Sequence, residues 1–359
     1  MTHQQNYAND RLGTFTFQNL VRFLGCWTNL RLKWRPPNVM ARMYFDYFVD
    51  EEAPPYYTNF CADPRHRSML LPNSTICNNF TLPNVLVVGP QKTGTSALSL
   101  FLSLHPDVST NRAIPNFYEE LQFFNGANYA RGPEWYAEKF SHAKDMTVGE
   151  RVVFEKSANY FDSSRAPAAA KSLLPDAKII FIFTDPVDRA YSWYQHMRSH
   201  NDTVALKFDA DHVLMSNLTI TARLRQRCLG PGLYAKHLDN WLDHYPASQL
   251  IVLDGHELRH NPIPLMLKLV ERLGLSPDSV DYAKRLAFGE SKGFYCVNDY
   301  ETSGKTRCLG RAKGRKYAQM SEKLRRFLSR FYEPYNRSLK LLLQRYDLLI
   351  PSFLSGIQL

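Results

Sequence analysis

The stretch Val85-Leu86-Val87-Val88-Gly89-Pro90-Gln91-Lys92-Thr93-Gly94-Thr95-Ser96 decides the fold of this chain. A short apolar run ends in a glycine-containing loop, and a helix-forming run from Ala97 to Leu104 follows. A strand, a loop and the start of a helix, in this order, direct backbone N–H groups at an anion. Because a lysine and hydroxyl groups lie in the loop, we expect the anion to be a phosphate or a sulfate. The simpler alternative is a generic anion-binding turn.

The position of the lysine departs from the loop of nucleotide triphosphatases, G-x-x-x-x-G-K-[ST], in which lysine directly follows the second glycine. Here Lys92 precedes Gly94, and Thr95 occupies the usual lysine position. Ser96 remains at the position of the hydroxyl that normally holds magnesium. A lysine placed earlier in the loop contacts a different atom of the ligand, which argues against a kinase or nucleotide triphosphatase.

The composition of the 359-residue chain fits one large α/β domain with an extension. A formal net charge of +10 favours polyanionic partners, namely nucleic acid, an anionic membrane or an acidic polysaccharide. No apolar run reaches the length of a membrane span, and Met1–Gln5 carries no signal-peptide core. The sequence of residues 1–359 therefore predicts neither a signal peptide nor a membrane anchor.

The cysteines and glycosylation sequons indicate an oxidising lumen instead. Cys61 and Cys77 frame one polar loop, Cys296 and Cys308 frame another, and such pairs are typical of disulfides. Cys26 and Cys228 remain as candidates for buried thiols. N-x-[ST] sequons occur at Asn73, Asn79, Asn201, Asn217 and Asn336. We therefore expect a piece of a longer, lumen-facing protein, or a short isoform of one.

Apolar runs predict the strands of a doubly wound parallel sheet with flanking helices, in a P-loop-like arrangement. The runs are 85–88, 152–154, 178–183 and 250–253. A stripe of apolar residues from Tyr234 to Tyr245 predicts a helix. A further helix is predicted over Thr16–Leu30, and Ser321–Leu354 is predicted to be helical with a break at Pro334. Residues 1–82 are interpreted as an attachment, and 83–359 as the main domain.

A polar helix face is predicted after the third strand. Pro186 suits the first turn of a helix. If that helix extends through His196, then Arg189, Ser192 and His196 lie on one face. A cation and a hydroxyl suit a phosphate cradle, and an imidazole suits a reaction centre. The alternative is a solvated face beside a core stripe of tyrosines.

Further candidate residues precede and follow the second predicted strand. Glu119 and Glu120 lie among aromatic residues, where a partly desolvated carboxylate has a raised pKa and can accept a proton near neutrality. The alternative for this pair is a charged helix edge. Lys156 lies at the end of the strand. The segment 305–317 is dense in lysine and arginine, and its glycines and a cysteine favour a shaped anion-binding loop over a solvated tail.

Taken together, these segments resemble the sulfotransferase domain of the heparan sulfate N-deacetylase/N-sulfotransferase family. The resemblance covers nearly the whole chain. It implies the fold of sulfotransferases that use 3'-phosphoadenosine 5'-phosphosulfate (PAPS), with residues 1–82 as a remnant of the upstream deacetylase module and a linker, so no deacetylation is expected. The segments that carry it are Gly89–Thr95, Glu120–Phe124, Phe154–Tyr160, Arg189–His196 and Lys313–Tyr317.

The resemblance assigns the donor PAPS to the loop and its neighbours. The 5'-phosphosulfate would be bound by Lys92, Thr93, Gly94, Thr95 and Ser96. Ser192, with Arg189 nearby, would bind the 3'-phosphate. The adenosine and phosphate would be covered by Tyr295 and the segment Lys313, Gly314, Arg315, Lys316 and Tyr317. Many sulfotransferases carry an arginine at the end of the third strand, where this chain has Thr184, so other cations must serve the 3'-phosphate.

The implied reaction is N-sulfation of glucosamine in heparan sulfate or heparosan. Glu120 would hold or accept the proton of the amine, which attacks sulfur in line. Lys92 would stabilise the charge on the departing oxygen with help from His196, so no metal is required. The polysaccharide would contact Glu119, Gln122, Lys156 and Trp193.

The resemblance also implies where the protein acts and what it binds, and two alternative functions stay open. It implies the Golgi lumen and an acidic polysaccharide partner, with no nucleic acid and no membrane span in this chain. The alternatives are an O-sulfotransferase acting on a related glycosaminoglycan and a non-catalytic heparin-binding module.

Overall fold

A computed structural model of the chain describes residues 56–57, 81–112, 120–141, 151–290, 292–299, 305–310 and 317–358. The side chains of Asp299, Lys305 and Arg307 are not included. The described residues belong to the larger of two compact units of the chain, 53–359. Several predictions lie outside the described residues, namely the Thr16–Leu30 helix, the sequons at 73 and 79, Glu119, Lys313–Lys316 and cysteines 26, 61 and 77.

A parallel five-stranded sheet forms the centre of the fold, with strand order β2-β3-β1-β4-β5. The strands are β1 (Val85–Gly89), β2 (Val108–Thr110), β3 (Val152–Lys156), β4 (Lys178–Phe183) and β5 (Leu250–Asp254). The four predicted strands are confirmed, and β4 has the predicted bounds. The edge strand β2 is an addition to the prediction.

Helices cover both faces of this sheet, which confirms the predicted α/β class. They are α1 (Thr95–Leu102), α2 (Gly132–Glu138), α3 (Ala166–Leu173), α4 (Pro186–Ser199), α5 (Thr203–Lys207), α6 (Ala210–Met215), α7 (Ala222–Leu229), α8 (Tyr234–Leu242), α9 (Gly255–His260), α10 (Pro262–Leu273), α11 (Tyr282–Arg285) and α12 (Glu322–Arg345). Short 3-10 turns lie at Ala127–Arg131, Thr219–Thr221, Gly230–Gly232, Ala247–Gln249, Pro277–Ser279 and Ser352–Leu354.

The alternation of side chains along each strand divides the core into two layers. Leu86 and Val88 of β1 pack with α3, α8 and the second half of α12. Val85 and Val87 of the same strand pack with α1 and α10 on the opposite face. Strands buried on both faces are typical of parallel sheets, and their continuous apolar runs explain why the sequence predicted them. A third cluster joins α4, α6, α7 and the first half of α12.

A small antiparallel sheet lies outside the predicted elements. It consists of β6 (Leu286–Gly289), β7 (Phe294–Asp299) and β8 (Lys305–Arg307), in that order. The predicted disulfide Cys296–Cys308 is present and links β7 to the residue after β8. Cys228 is a buried free thiol, as expected for a cysteine without a partner loop.

The predicted break of the last helix at Pro334 is wrong. Helix α12 continues through Pro334 and ends at Arg345, well before Leu354. A proline inside a helix removes one backbone hydrogen bond and costs about 3 kcal/mol. The helix buries large side chains on both sides of Pro334, including Leu328, Tyr332 and Leu339. At roughly 1.5–3 kcal/mol for each buried side chain, packing outweighs the lost bond.

Candidate active site

The loop between β1 and α1 has the conformation of an anion cradle. Gly89 and Gly94 have φ values of 114° and 106°, and Lys92 has a φ of 74°. The hydroxyl of Thr93 donates to the carbonyl of Pro90 at 2.7 Å and fixes the turn. Helix α1 begins at Thr95, directly after its N-cap Gly94, and the positive end of its dipole favours an anion at this loop. The predicted loop residues therefore lie together at a helix N-terminus.

The end of β3 lies directly beside this loop. The N–H of Ser157 donates to the carbonyl of Val87 at 3.2 Å, and that of Phe161 donates to Val88 at 3.0 Å. The backbones approach so closely that a Cβ on Gly89 would lie 2.2 Å from the carbonyl oxygen of Ala158. Glycine is therefore required where β1 enters the loop, because both the contact and the positive φ exclude a side chain.

Glu120 and Lys156 were predicted separately, and the structure joins them. The Nζ of Lys156 lies 3.1 Å from Oε1 of Glu120, and the two side chains are 2% and 16% exposed. Lys156 pairs with Val87 across the β1–β3 ladder, so the ion pair lies at the level where β1 enters the loop. Gln122 follows with an exposed side chain and a φ of 48°. A carboxylate, a lysine and an exposed amide thus lie next to the anion cradle.

Helix α4 starts as predicted at Pro186. Asp185 caps it, because its Oδ1 accepts the N–H of Val187 at 2.9 Å. Burial raises the pKa of this carboxyl group. An aspartate after an apolar strand resembles the metal-holding acid of nucleotide triphosphatases, and here the helix N-cap accounts for it.

Arg189, predicted to lie near the 3'-phosphate, is a buried residue whose side chain contacts the loop. The residue is 1% exposed, and its guanidinium donates to the carbonyl of Gln91 at 3.5 Å and to the carbonyl of Cys228. Its Nε is buried without a hydrogen-bond partner among the described residues. The helical spacing placed Arg189 on the face of Ser192, and the structure shows that its long side chain joins the loop to the end of α7 through the carbonyls of Gln91 and Cys228.

The remaining α4 candidates differ in exposure. Ser192 and His196 are half-buried, and Trp193 is 5% exposed. The His196 ring lies 5.1 Å from the Trp193 ring and 4.1 Å from the His200 ring. The guanidinium of Arg227 lies 5.1 Å above Trp193. The His196 ring and the Arg227 guanidinium thus contact a Trp193 ring that is buried in the core cluster of α4.

The end of the basic segment contacts α4. The hydroxyl of Tyr191 donates to the carbonyl of Ala318 at 2.8 Å, and the ring of Tyr317 packs edge-on at 5.8 Å from Tyr191. Lys313–Lys316 lie outside the described residues, so their predicted role stays a prediction. A cavity of about 470 Å³ lies between this contact and α6, lined by α4 residues other than Ser192 and His196.

The small sheet reaches the loop through α9. A Cβ on Gly94 would lie 3.2 Å from the side chain of Leu258 in α9. Arg259, the next residue of α9, donates to the carbonyl of Gly293 just before β7 at 3.4 Å. Tyr295 follows in β7, half-buried against Phe288 at a ring distance of 5.5 Å. This path places Tyr295 on the α9 side of the cradle.

Sequence reasoning missed Glu155, which is fully buried. Three hydroxyls donate to its carboxylate, from Tyr136 and Ser157 at 2.6 Å each and from Tyr160 at 2.9 Å. Burial raises the pKa of Glu155 to about 7, against the lowering effect of these hydrogen bonds. The signal in the sequence was an acid within an apolar strand, since a buried acid requires partners.

Residues 82–343 match the sulfotransferase domain family. The chain belongs to this sulfotransferase family. The match begins at the start of the described domain and ends within α12. The sulfotransferase fold therefore includes the loop, the ion pair and α4.

Similar curated proteins point to one branch of the sulfotransferases. The bifunctional heparan sulfate N-deacetylase/N-sulfotransferase 2 of Bos taurus is 47% identical over 99% of this chain and 39% of its own length. The human N-deacetylase/N-sulfotransferase 1 is 47% identical over 99% of this chain and 40% of its own. The N-deacetylase/N-sulfotransferase 1 of Caenorhabditis elegans is 45% identical over the same shares. The chain thus spans about two fifths of the length of these relatives.

A solved structure shows the same fold. The sulfotransferase from Alicyclobacillus acidocaldarius is 26% identical, with a TM-score of 0.52 over 74% of this chain and 96% of that chain. Among the described residues, no helix is long and apolar enough to cross a membrane. Within that same part of the sulfotransferase, no cluster of three or more histidine, cysteine or acidic residues could hold a metal ion.

Proposed function

We propose that this sulfotransferase transfers a sulfuryl group from PAPS to the free amine of glucosamine residues in heparan sulfate precursors. The observation that carries the proposal is the carboxylate of Glu120, paired with Lys156 beside the anion loop that contains Lys92. Transfer to nitrogen requires a proton acceptor next to the anion cradle, and this arrangement supplies one. The similarity to heparan sulfate N-deacetylase/N-sulfotransferases supports the same reaction.

The donor fits the loop and the elements around it. The first turn of α1 and the Lys92–Ser96 segment suit the 5'-phosphosulfate. Ser192 on α4 suits the 3'-phosphate, and Arg189, whose guanidinium contacts the loop at Gln91, contributes positive charge nearby. Tyr295 and the segment Lys313–Tyr317, whose last residue packs on α4, cover the adenosine. PAPS supplies an activated sulfuryl group at this site.

The chain's own residues then manage charge and protons. Glu120 accepts the proton of the attacking amine, and Lys156 orients this carboxylate. Lys92 neutralises the negative charge that develops on the departing oxygen, and His196 assists. In this proposal the lysine takes the charge-neutralising role that a magnesium ion has in nucleotide triphosphatases.

The acceptor polysaccharide is proposed to lie over the surface next to the cradle. Gln122, Trp193, Lys156 and Glu119 contact the sugar chain, and the net charge of +10 attracts its carboxylates and sulfates. We place the reaction in the Golgi lumen, where the disulfide Cys296–Cys308 is stable. The catalytic unit is assigned to 83–359, and 1–82 to the remnant of an upstream deacetylase module and linker.

The proposal is tested with purified chain, radiolabelled PAPS and N-deacetylated heparosan. We expect label on nitrogen, and label on oxygen alone would instead establish an O-sulfotransferase. Glu120→Gln should abolish most of the product and leave binding of adenosine 3',5'-bisphosphate (PAP) intact. Lys284→Ala, at an exposed lysine paired with Asp281, is the matched surface control. Polysaccharide binding without any product from the native chain would favour a binding module.

A further inference from the structure

The short segment that follows Glu120 is held from below by two hydroxyl groups. The N–H of Gln122 donates to the hydroxyl of Ser157 at 2.9 Å. The N–H groups of Phe123 and Phe124 donate to the hydroxyl of Tyr160 at 2.6 and 3.2 Å. Three consecutive backbone groups are thus fixed by two side chains that follow β3.

Both of these hydroxyls depend on one carboxylate. Ser157 donates to Oε1 of Glu155 at 2.6 Å, and Tyr160 donates to the same oxygen at 2.9 Å. A hydroxyl has a single proton, so once it donates to Glu155 its lone pairs can accept the N–H groups of the segment. All three residues are fully buried, so water does not compete for these bonds.

The segment needs such restraint because its backbone is strained. Gln122 has a φ of 48°, a left-handed conformation that a residue with a side chain rarely adopts. The next two residues are buried aromatics, and the Phe123 ring stacks on Tyr136 at 4.4 Å. Packing and the hydroxyl contacts together hold Gln122 in this conformation, and Glu120 lies two residues before it.

We propose that Glu155 is a positioning residue, which orients Glu120 by fixing the backbone of 121–124 through the hydroxyls of Ser157 and Tyr160. The inference deepens the proposed function and rests on it, since it assumes that Glu120 accepts the proton. Glu155 acts through other groups, because its described hydrogen-bond partners are the three protein hydroxyls. Adjacent residues of β3 thus serve Glu120 in two ways: Lys156 pairs with its carboxylate, and Glu155 fixes its backbone.

Two tyrosines offer a matched test. Tyr136 and Tyr160 are both fully buried, and both donate to Glu155. Of the two, Tyr160 is the one that accepts N–H groups of the segment. Tyr160→Phe and Tyr136→Phe each remove one buried donor to Glu155, and Tyr160→Phe also leaves the N–H groups of Phe123 and Phe124 without this acceptor, so we expect it to cost more folding stability. The two variants differ in the contact with the segment that carries Glu120.

The experiment measures kcat and acceptor KM in the N-sulfation assay, together with the Kd of PAP by calorimetry. Tyr160→Phe should lower kcat roughly 10- to 100-fold, as expected for a misplaced catalytic group. The Kd of PAP should stay native, because the loop of β1 is untouched. Tyr136→Phe should retain most of the native kcat.

An equal loss of kcat in both tyrosine variants, or a native kcat in Tyr160→Phe, overturns the inference. If either variant fails to bind PAP, Ser157→Ala is measured instead, since within the segment it removes only the acceptor of the Gln122 N–H. A native kcat in Ser157→Ala also overturns the inference. Glu120→Gln is measured alongside. A native rate in that variant refutes the proton acceptor of the proposed function, whereas an inactive Glu120→Gln with an active Tyr160→Phe refutes the positioning role alone.

Discussion

Replacing Glu155 by glutamine should make the folding stability of the domain less sensitive to pH. Burial raises the pKa of this carboxyl group to about 7 in the folded protein, from an ordinary value of 4.5. The folded state therefore binds the proton more tightly than the unfolded state. The stability that the group contributes is fully present below pH 4.5 and is lost as the pH rises through 7.

The magnitude follows from the two pKa values. The full difference corresponds to about 3 kcal/mol, of which about 2 to 3 kcal/mol is lost between pH 5 and pH 8. Glutamine does not titrate, so the Glu155→Gln variant should gain this amount relative to the native protein over that interval. Any constant difference in hydrogen bonding between the two side chains cancels when the two pH values are compared.

Urea unfolding of both proteins at pH 5 and pH 8 provides the measurement. Glu322→Gln, at an exposed position on the start of α12, controls for the loss of one negative charge. If the difference in unfolding free energy between native and Glu155→Gln protein is the same at both pH values, the reasoning fails. That result would mean that the hydroxyls around Glu155 compensate fully for its burial.

Three further predictions concern the loop and the small sheet. Lys92→Ala should raise the barrier of sulfuryl transfer by at least about 2–4 kcal/mol in single-turnover kinetics, and a native rate would contradict its role at the departing oxygen. Gly89→Ala should lower the unfolding free energy by at least about 2–4 kcal/mol, since its Cβ meets a backbone oxygen at 2.2 Å. Gly274→Ala shares the positive φ but has open space, so it should cost only about 1 kcal/mol in the same urea titration, and equal losses would exclude the steric argument. Cys296→Ser, which opens a disulfide of sequence separation 12, should cost about 3 kcal/mol, and reduction of the native protein should produce the same loss.

Much of the fold followed from local patterns, and the exceptions have physical reasons. The strand at 178–183 was predicted with its observed bounds, because a strand buried on both faces is apolar throughout. The strand Val108–Thr110 was missed, since three residues with mixed polarity carry no periodicity. The break at Pro334 was wrong because tertiary packing overrode the local preference of proline.

Some residues of the candidate site could likewise be predicted from local patterns, and others could not. The loop around Lys92 was predictable, because its conformation depends on neighbouring residues. The contact between Glu120 and Lys156 depends on the order of strands in the sheet, which no local pattern specifies. For Arg189, helical spacing gave the shared face correctly but not the direction of a long side chain. The role of Glu155 could not be predicted from the sequence, because it depends on hydroxyl partners that only the fold brings into contact with the carboxylate.

The alternation of side chains along β3 limits how this gene can change. Glu155 lies among the partners on one face of the sheet, and Lys156 at the strand end reaches Glu120. Inserting or deleting one codon earlier in the strand would turn every later side chain to the opposite face of the sheet. The positions of Glu155 and Lys156 would then be exchanged. We therefore expect insertions and deletions among natural alleles to lie in the loops between helices and strands. We expect β3 to keep its length of five residues even where substitutions accumulate.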